Sequence, residues 1–522
     1  MKFFKKITDV FVHLAQEMRW SYVPPLMIYF AAGISGFTGI IEGFYVKDEL
    51  GLTAEFLAGL AFWAGIPWAL KMPVGHMVDL FWRWKSIFVF IGATMMATSI
   101  TIMIFLTGEP EWMKSMWSLS NWYILSALLS PVGFVLQDVV ADAMTVEAVP
   151  ATDEEGNDLA EDVLRRMHVN MQTLGRMSIM FGIALVSGIG GWLAEVYSYN
   201  LMYTISIVVP IISVCGVLVG FMMKRKQAKK LRENGVEEAR IFEIIHALPE
   251  KISANWWILG GSAIYVVFTI GIGLSEIAFS QEIIFIGSMA IIAFLIRNLI
   301  QDLPTEKKVA LISMAIIIFA FRAMPSSGAG ASWWQIDVLG FNESFMGTLR
   351  QISAILAIFG MFALREWMQT KPMHYFVVFL TLLGAVLFLP FIGMFYGLHE
   401  WTQEVFGFGA RTIAIVDTMA DAPFGQVAMI PMLAWIAMEA PKNMKATYFA
   451  VMAAFTNLAL SASSLGTKYL NQIFTITREV EVDGVITTQA DYSELGMLMI
   501  TVAIITLVIP IFTVYLLHKK IK

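Results

Sequence analysis

The sequence holds a single cysteine, Cys215, so it forms no intrachain disulfide and carries no zinc or iron–sulfur spacing. Charge is scarce too: Asp, Glu, Lys and Arg make up 15% of the 522 residues, where a soluble globular domain carries about a quarter. The seven histidines show no ligand spacing, and no nucleophile elbow, phosphate loop or metal-ligand cluster is present. The sequence therefore predicts no enzyme, no metal and no cofactor. No basic domain stands apart from the apolar segments, which excludes nucleic acid as an expected partner. The alternating pattern of a membrane β-barrel, over segments of about 10 residues, is missing as well.

Long apolar runs fill the space these absences leave. Hydrophobic residues make up 58% of the chain, and mean hydropathy is +0.70. Runs of about 20 residues recur, each able to cross a hydrocarbon core of about 30 Å. Backbone groups in lipid must be satisfied within the segment, so the runs read as helices. Fourteen are expected, at 24–46, 54–79, 85–107, 119–147, 167–190, 201–222, 256–274, 280–299, 309–336, 344–364, 373–397, 409–438, 444–470 and 493–517. The fold class is an all-α polytopic membrane protein.

Loop charges set the expected orientation. Lys2, Lys5 and Lys6, then Arg83 and Lys85, the run Lys224 to Arg232, Lys307 and Lys308, Lys442 and Lys445, and Lys519, Lys520 and Lys522 all fall on one side. The positive-inside rule makes that side the cytosol, with both termini there. Lys2 to Arg19 reads as an amphipathic surface helix rather than a cleaved signal. The 223–255 connector ends in a second amphipathic helix bearing Phe242, Ile245, Leu248 and Ile252. The 151–163 loop is acidic. Alternation around Asp483-Gly484 predicts an external β-hairpin.

A partial repeat divides the chain. Phe44-Tyr-Val-Lys-Asp-Glu-Leu-Gly-Leu52 and Trp333-Trp-Gln-Ile-Asp-Val-Leu-Gly-Phe341 place an aromatic, Asp, Leu and Gly at the same offsets, 289 residues apart. Two six-span halves in parallel repeat are the mark of the major facilitator architecture. The expected domains are a six-helix bundle over 1–222, a connector with two inserted helices over 223–306, and a second six-helix bundle over 307–522.

Ionisable residues within spans cost about 2.5–3.5 kcal/mol each on insertion scales and require a reason. Asp138 and Asp142, in Gln137-Asp-Val-Val-Ala-Asp-Ala-Met-Thr-Val-Glu147, are four apart and share a helix face. Two nearby carboxylates resist ionising together, which raises one pKa, the chemistry a proton carrier needs. The twelfth span carries a second pair, Asp417 and Asp421. Asp142 lies about 9 residues from its cytosolic loop and Asp421 about 20, a difference in depth of roughly 16 Å at about 1.5 Å per residue. Arg176, Arg322, Lys71 and Arg350 are expected within or at the ends of spans, and Glu42 near the outer end of the first. Their roles divide between static ion pairs and a solute or proton pathway. Gly33, Gly36, Gly39 and Gly43 are expected to permit close helix contact. After the second span, Gly75, Asp79, Arg83 and Lys85 partly match the major facilitator latch between spans two and three, with Leu80 where that motif has arginine.

These stretches carry a closer resemblance. Asp48-Glu-Leu-Gly-Leu52, Pro67-Trp-Ala-Leu-Lys-Met-Pro-Val-Gly75 with Asp79, and Gln137 to Glu147 resemble the folate-biopterin transporter family of the major facilitator superfamily. So do Ala323-Met-Pro325 through Trp333 to Phe341, and Pro431-Met-Leu, Ala440-Pro-Lys442, Ala446-Thr-Tyr and Asn457. The resemblance skips 223–306. It implies a proton-coupled secondary transporter for folates or pterins, working as a monomer in the cytoplasmic (inner) membrane. Against such a solute, Asp138 or Asp142 would accept from a pterin amino edge. Arg176 or Arg322 would hold a glutamate tail, and Trp333 or Trp334 would stack on the ring. The pattern Gln137, Asp138 and Asp142 also resembles muropeptide permeases, which keeps a cell-wall peptide or other organic anion as an alternative. A transport-dead sensor or scaffold is the alternative of another class.

Overall fold

The computed structural model describes residues 18–521 apart from 70, 150–158, 247–255, 275–276, 302, 365–366, 369–370, 426, 428, 430, 433–434, 436–444 and 483–484. The amphipathic stretch before residue 18, most of the acidic loop and the second half of the connector helix lie outside these residues.

Helices stand where the apolar runs predict them. Ser86–Gly108, Leu119–Ala148, Trp256–Leu274, Ser280–Ile300, Glu343–Ala363, Met373–Phe395, Lys445–Ile473 and Leu495–Leu517 begin and end within a few residues of the expected bounds. Among the described residues, ten helical stretches are long and apolar enough to cross a membrane. Two short helices that hydropathy does not flag, Pro110–Met116 and Leu398–Phe406, follow the third and eleventh runs.

The ninth run departs from a single helix. It consists of Thr305–Arg322 and Ala329–Asp337, separated by non-helical residues. Pro325 has no N–H to give to a helix, and Gly328 takes φ of +73°, a region that disfavours side chains. Broken backbone at membrane depth needs partners within the protein, and Lys445–Ile473 supplies them. Ser463 Oγ donates to the Met324 carbonyl at 2.6 Å, the Ser326 N–H donates to Thr467 Oγ1 at 2.9 Å, and Asn471 Nδ2 donates to the Ser327 carbonyl at 3.5 Å. The spacing of four puts all three side chains on one helix face.

Contacts divide the chain into two units, Met1–Ile40 with Pro73–Ile264, and Ile41–Met72 with Tyr265–Lys522. In the first, glycines bring helix backbones together. A Cβ on Gly92 would lie 2.5 Å from the Gly133 carbonyl oxygen, and one on Gly133 2.6 Å from that of Gly92. This fixes Leu119–Ala148 against Ser86–Gly108. A Cβ on Gly33 would lie 2.3 Å from the Ile179 carbonyl oxygen, fixing Val23–Ile34 against Glu161–Val196. Gly36 and Gly43 have open space where a Cβ would be, so neither makes the close contact that Gly33 does.

In the second unit one apolar cluster gathers Ile317, Ile318, Val377, Met452 and Leu458, and another gathers Trp334, Leu495, Leu498 and Met499. A Cβ on Gly360 would lie 2.0 Å from the Pro423 carbonyl oxygen, so Glu343–Ala363 runs hard against the end of Ala410–Asp421. The expected hairpin forms from β1 (Val480–Val482) and β2 (Val485–Thr488), antiparallel, with Val482 opposite Val485.

Candidate functional site

The carboxylate pair of the fourth run lies half-buried in the first unit. Tyr29, from Val23–Ile34, donates its hydroxyl to Asp142 Oδ1 at 2.6 Å. Its ring fits because residue 175 is glycine: a Cβ there would lie 2.8 Å from the ring. Asp138 and Arg176 act electrostatically on the same hydroxyl, so four side chains share one neighbourhood. The Arg176 side chain is exposed, not buried as its place in an apolar run predicts. Gln137, beside the pair, is 3% exposed, and its Nε2 has no hydrogen-bond partner among the described residues.

One end of this unit gathers charges from three helices. Glu147, at the close of Leu119–Ala148, accepts Lys85 Nζ at 2.5 Å on one oxygen and Lys224 Nζ at 3.0 Å on the other. Lys85 and Glu147 side chains are 6% and 9% exposed, so water screens the pair little. The Lys85 ammonium also sits 3.7 Å from the centre of the Trp82 ring, at cation–π distance. Of the other latch residues, Gly75 faces Val139 of the carboxylate helix and Arg83 is exposed. The side chain of Asp79 lies outside the described residues. Lys71 is half-buried at the start of Lys71–Leu80.

In the second unit Arg322 ends the first half of the broken helix. A cation there complements the negative end of the helix dipole. Its Nε donates to the Thr456 carbonyl at 3.2 Å, and its Nη1 points at Met432 Sδ at 3.9 Å. Among the described residues no carboxylate pairs with it. Asp417 is half-buried, and its Oδ1 is buried with no hydrogen-bond partner among those residues. Asp421, one turn on, is exposed and interacts with Asp417 electrostatically. Glu42 interacts likewise with Arg350. Trp333 is 3% exposed, with the buried Arg478 guanidinium 5.7 Å from its ring centre.

The two repeat motifs also meet. Lys47 Nζ pairs with Asp337 at 2.7 Å, and the Tyr492 hydroxyl donates to the other Asp337 oxygen. Burial first, then that bond, pushes the Tyr492 hydroxyl above its usual pKa, so it stays a donor at neutral pH. Asn457 Nδ2 donates to the Trp68 carbonyl at 3.3 Å, joining two further resemblance stretches.

Sequence reasoning does not single out Tyr29, Glu147 or Lys47. Glu147 has a usable signal, since it closes the Gln137–Glu147 motif at the end where the third run begins and the sixth stops with basic residues. Tyr29 has none beyond a hydroxyl inside an apolar run.

The long apolar helices define a polytopic, all-helical membrane protein. The arrangement matches solved peptide transporters. A POT peptide transporter in complex with sulfate aligns with a TM-score of 0.64 at 14% identity, covering 96% of this chain and 94% of that one. A POT family transporter in complex with a thioalcohol-conjugated peptide aligns at 0.62 with 10% identity, covering 96% of each. The chain belongs to the BT1 family, whose model matches residues 32–522. A folate-biopterin transporter from Synechocystis sp. is 22% identical over 459 residues, 86% of this chain and 74% of that protein.

Proposed function

We propose that the chain is a secondary active transporter that carries a folate- or pterin-like organic anion, coupled to protons, by alternating access. The carrying observation is the Asp138–Asp142 pair on one helix face, with Tyr29 donating to Asp142. A carboxylate held by a phenol hydroxyl beside a second carboxylate has the chemistry to take up and release a proton. Family membership and the folate-biopterin transporter relative support the solute class. Arg322 supports an anion: a half-buried guanidinium without a carboxylate partner among the described residues is suited to bidentate bonds with one from the solute. Asp417 and Asp421 are the matching candidates within the second unit, and Glu42, Lys71, Arg176 and Trp333 remain further candidates for the solute or proton pathway.

In this reading both termini are cytosolic, the membrane is the cytoplasmic one, and the monomer is the working unit. Lys85, Glu147 and Lys224, which the loop charges assign to the cytosolic side, meet one another. With Gly75, Asp79 and Arg83 they form the cytosolic gate. Lys47, Asp337 and Tyr492 meet at the ends assigned to the outside.

The solved relatives favour a second solute. Their folds carry peptides, so a short peptide or muropeptide is the alternative cargo. A thermal-shift screen of the purified protein separates the two. Pteroylglutamate is expected to raise the melting temperature by several degrees, with bare pterin smaller in effect and muropeptide without one. Stabilisation by muropeptide alone replaces the solute class, and stabilisation by none of the three removes both.

A further inference from the structure

Alternating access between two six-helix bundles leaves the inserted helices without a role. From Tyr265 onward they belong to the second unit. There Ser280–Ile300 packs against two helices at once, Ala54–Ala69 and Lys445–Ile473, which themselves pack side by side. Gln281 is bound to both. Its Nε2 donates to the Gly59 carbonyl at 3.2 Å, and its Oε1 accepts Lys468 Nζ at 3.2 Å. Glu282 Oε1 accepts Lys468 Nζ at 2.9 Å and the Tyr469 hydroxyl at 2.6 Å. The fit depends on missing side chains: a Cβ on Gly59 would lie 3.0 Å from Gln281 Nε2, and one on Gly273 2.9 Å from the Trp63 ring. Below these polar ties, Phe62, Ile66, Tyr265, Ile284 and Leu465 form one apolar cluster.

Lipid is as apolar as a leucine side chain, so burying apolar surface alone does little to hold helices together in a bilayer. The polar ties decide the geometry. One amide using its donor on one helix and its acceptor on another holds the two at a fixed separation.

We infer that the inserted helices are a clasp. They hold Ala54–Ala69 against Lys445–Ile473 at the end bearing Glu55, Lys468 and Gln472, and so bias the protein toward the state closed on that side. The inference rests on the transporter reading, in which these ends part once per cycle and the loop charges place them outside. A contact made in one state and lost in the other shifts the equilibrium by its free energy.

The lone cysteine makes a direct test available. In a Cys215→Ser background, Glu55→Cys and Gln472→Cys replace two side chains that hydrogen-bond at 2.6 Å. Their oxidative cross-linking in membranes reads the closed pairing, and neither reporter lies in the inserted helices. Adding Gln281→Ala and Glu282→Gln is expected to slow cross-linking about fivefold or more, the scale of ordinary coupling energies, and to raise labelling by a membrane-impermeant maleimide. Where that variant loses its monodisperse gel-filtration profile, Lys468→Met removes the ties from the opposite helix, with the same expectation. Unchanged cross-linking in a folded variant overturns the clasp. Failure of the transport reading is separate, seen as absent solute uptake by the wild type.

Discussion

Glu147→Ala is expected to lower the stability of the first unit by about 3 kcal/mol, because it takes the carboxylate out of a buried ion pair. Lys85 is the reason. Its side chain is 6% exposed, and its ammonium lies 2.5 Å from a Glu147 oxygen. Lys224, the second cation on Glu147, is 34% exposed and can turn to water. Lys224→Met is therefore expected to cost less than about 1 kcal/mol, as for a screened surface pair. Combining Glu147→Ala with Lys85→Met removes the buried cation as well and is expected to regain part of the loss. Melting in detergent at one fixed scan rate measures all three. Equal melting of Glu147→Ala and wild type would show that this cluster does not brace the helix ends.

Arg322→Met is expected to separate stability from function. The guanidinium is desolvated, and its described hydrogen bonds go to a carbonyl and a thioether. Replacing such a charge with a hydrophobe of similar length is often neutral or stabilising. Its melting temperature is expected to equal or exceed that of the wild type. Binding is expected to suffer instead: losing one member of a desolvated ionic hydrogen bond costs about 2 kcal/mol or more, roughly thirtyfold in affinity. The loss should fall on pteroylglutamate and spare bare pterin, which has no carboxylate tail. Titration of both ligands by intrinsic tryptophan fluorescence measures it. A loss for both equally, or a loss of stability, assigns Arg322 to the frame of the bundle.

Much of the architecture is legible in the sequence, because lipid leaves the backbone few choices. Long apolar runs give helices at nearly the expected bounds, and Asp483-Gly484 between alternating residues gives the β1–β2 pair. The period of the helix is enough to put Asp138 and Asp142 on one face. What hydropathy cannot read is direction and partnership. Arg176 lies in an apolar run yet is exposed, since a hydropathy window averages over all faces of a helix. Tyr29 reaches Asp142 across 113 residues of chain, a pairing set by the Gly33 crossing and the space at Gly175. The break after Arg322 passes through a hydropathy window because Ala323, Met324 and Pro325 are apolar, while the hydroxyls that repair it lie on Lys445–Ile473. The inserted helices show their apolarity in sequence, and their neighbours only in the fold.

The role proposed for Asp138 and Asp142 is to carry the coupling proton. Across the pH range where uptake is assayed, the raised Tyr492 hydroxyl stays protonated and contributes no pH dependence of its own. The most direct measurement is accumulation of labelled pteroylglutamate in proteoliposomes under an imposed pH gradient, comparing the wild type with Asp138→Asn and Asp142→Asn. The expected result is accumulation above the external concentration by the wild type, and at most equilibration by either variant. Equal gradient-driven accumulation by wild type and both variants would contradict the claim.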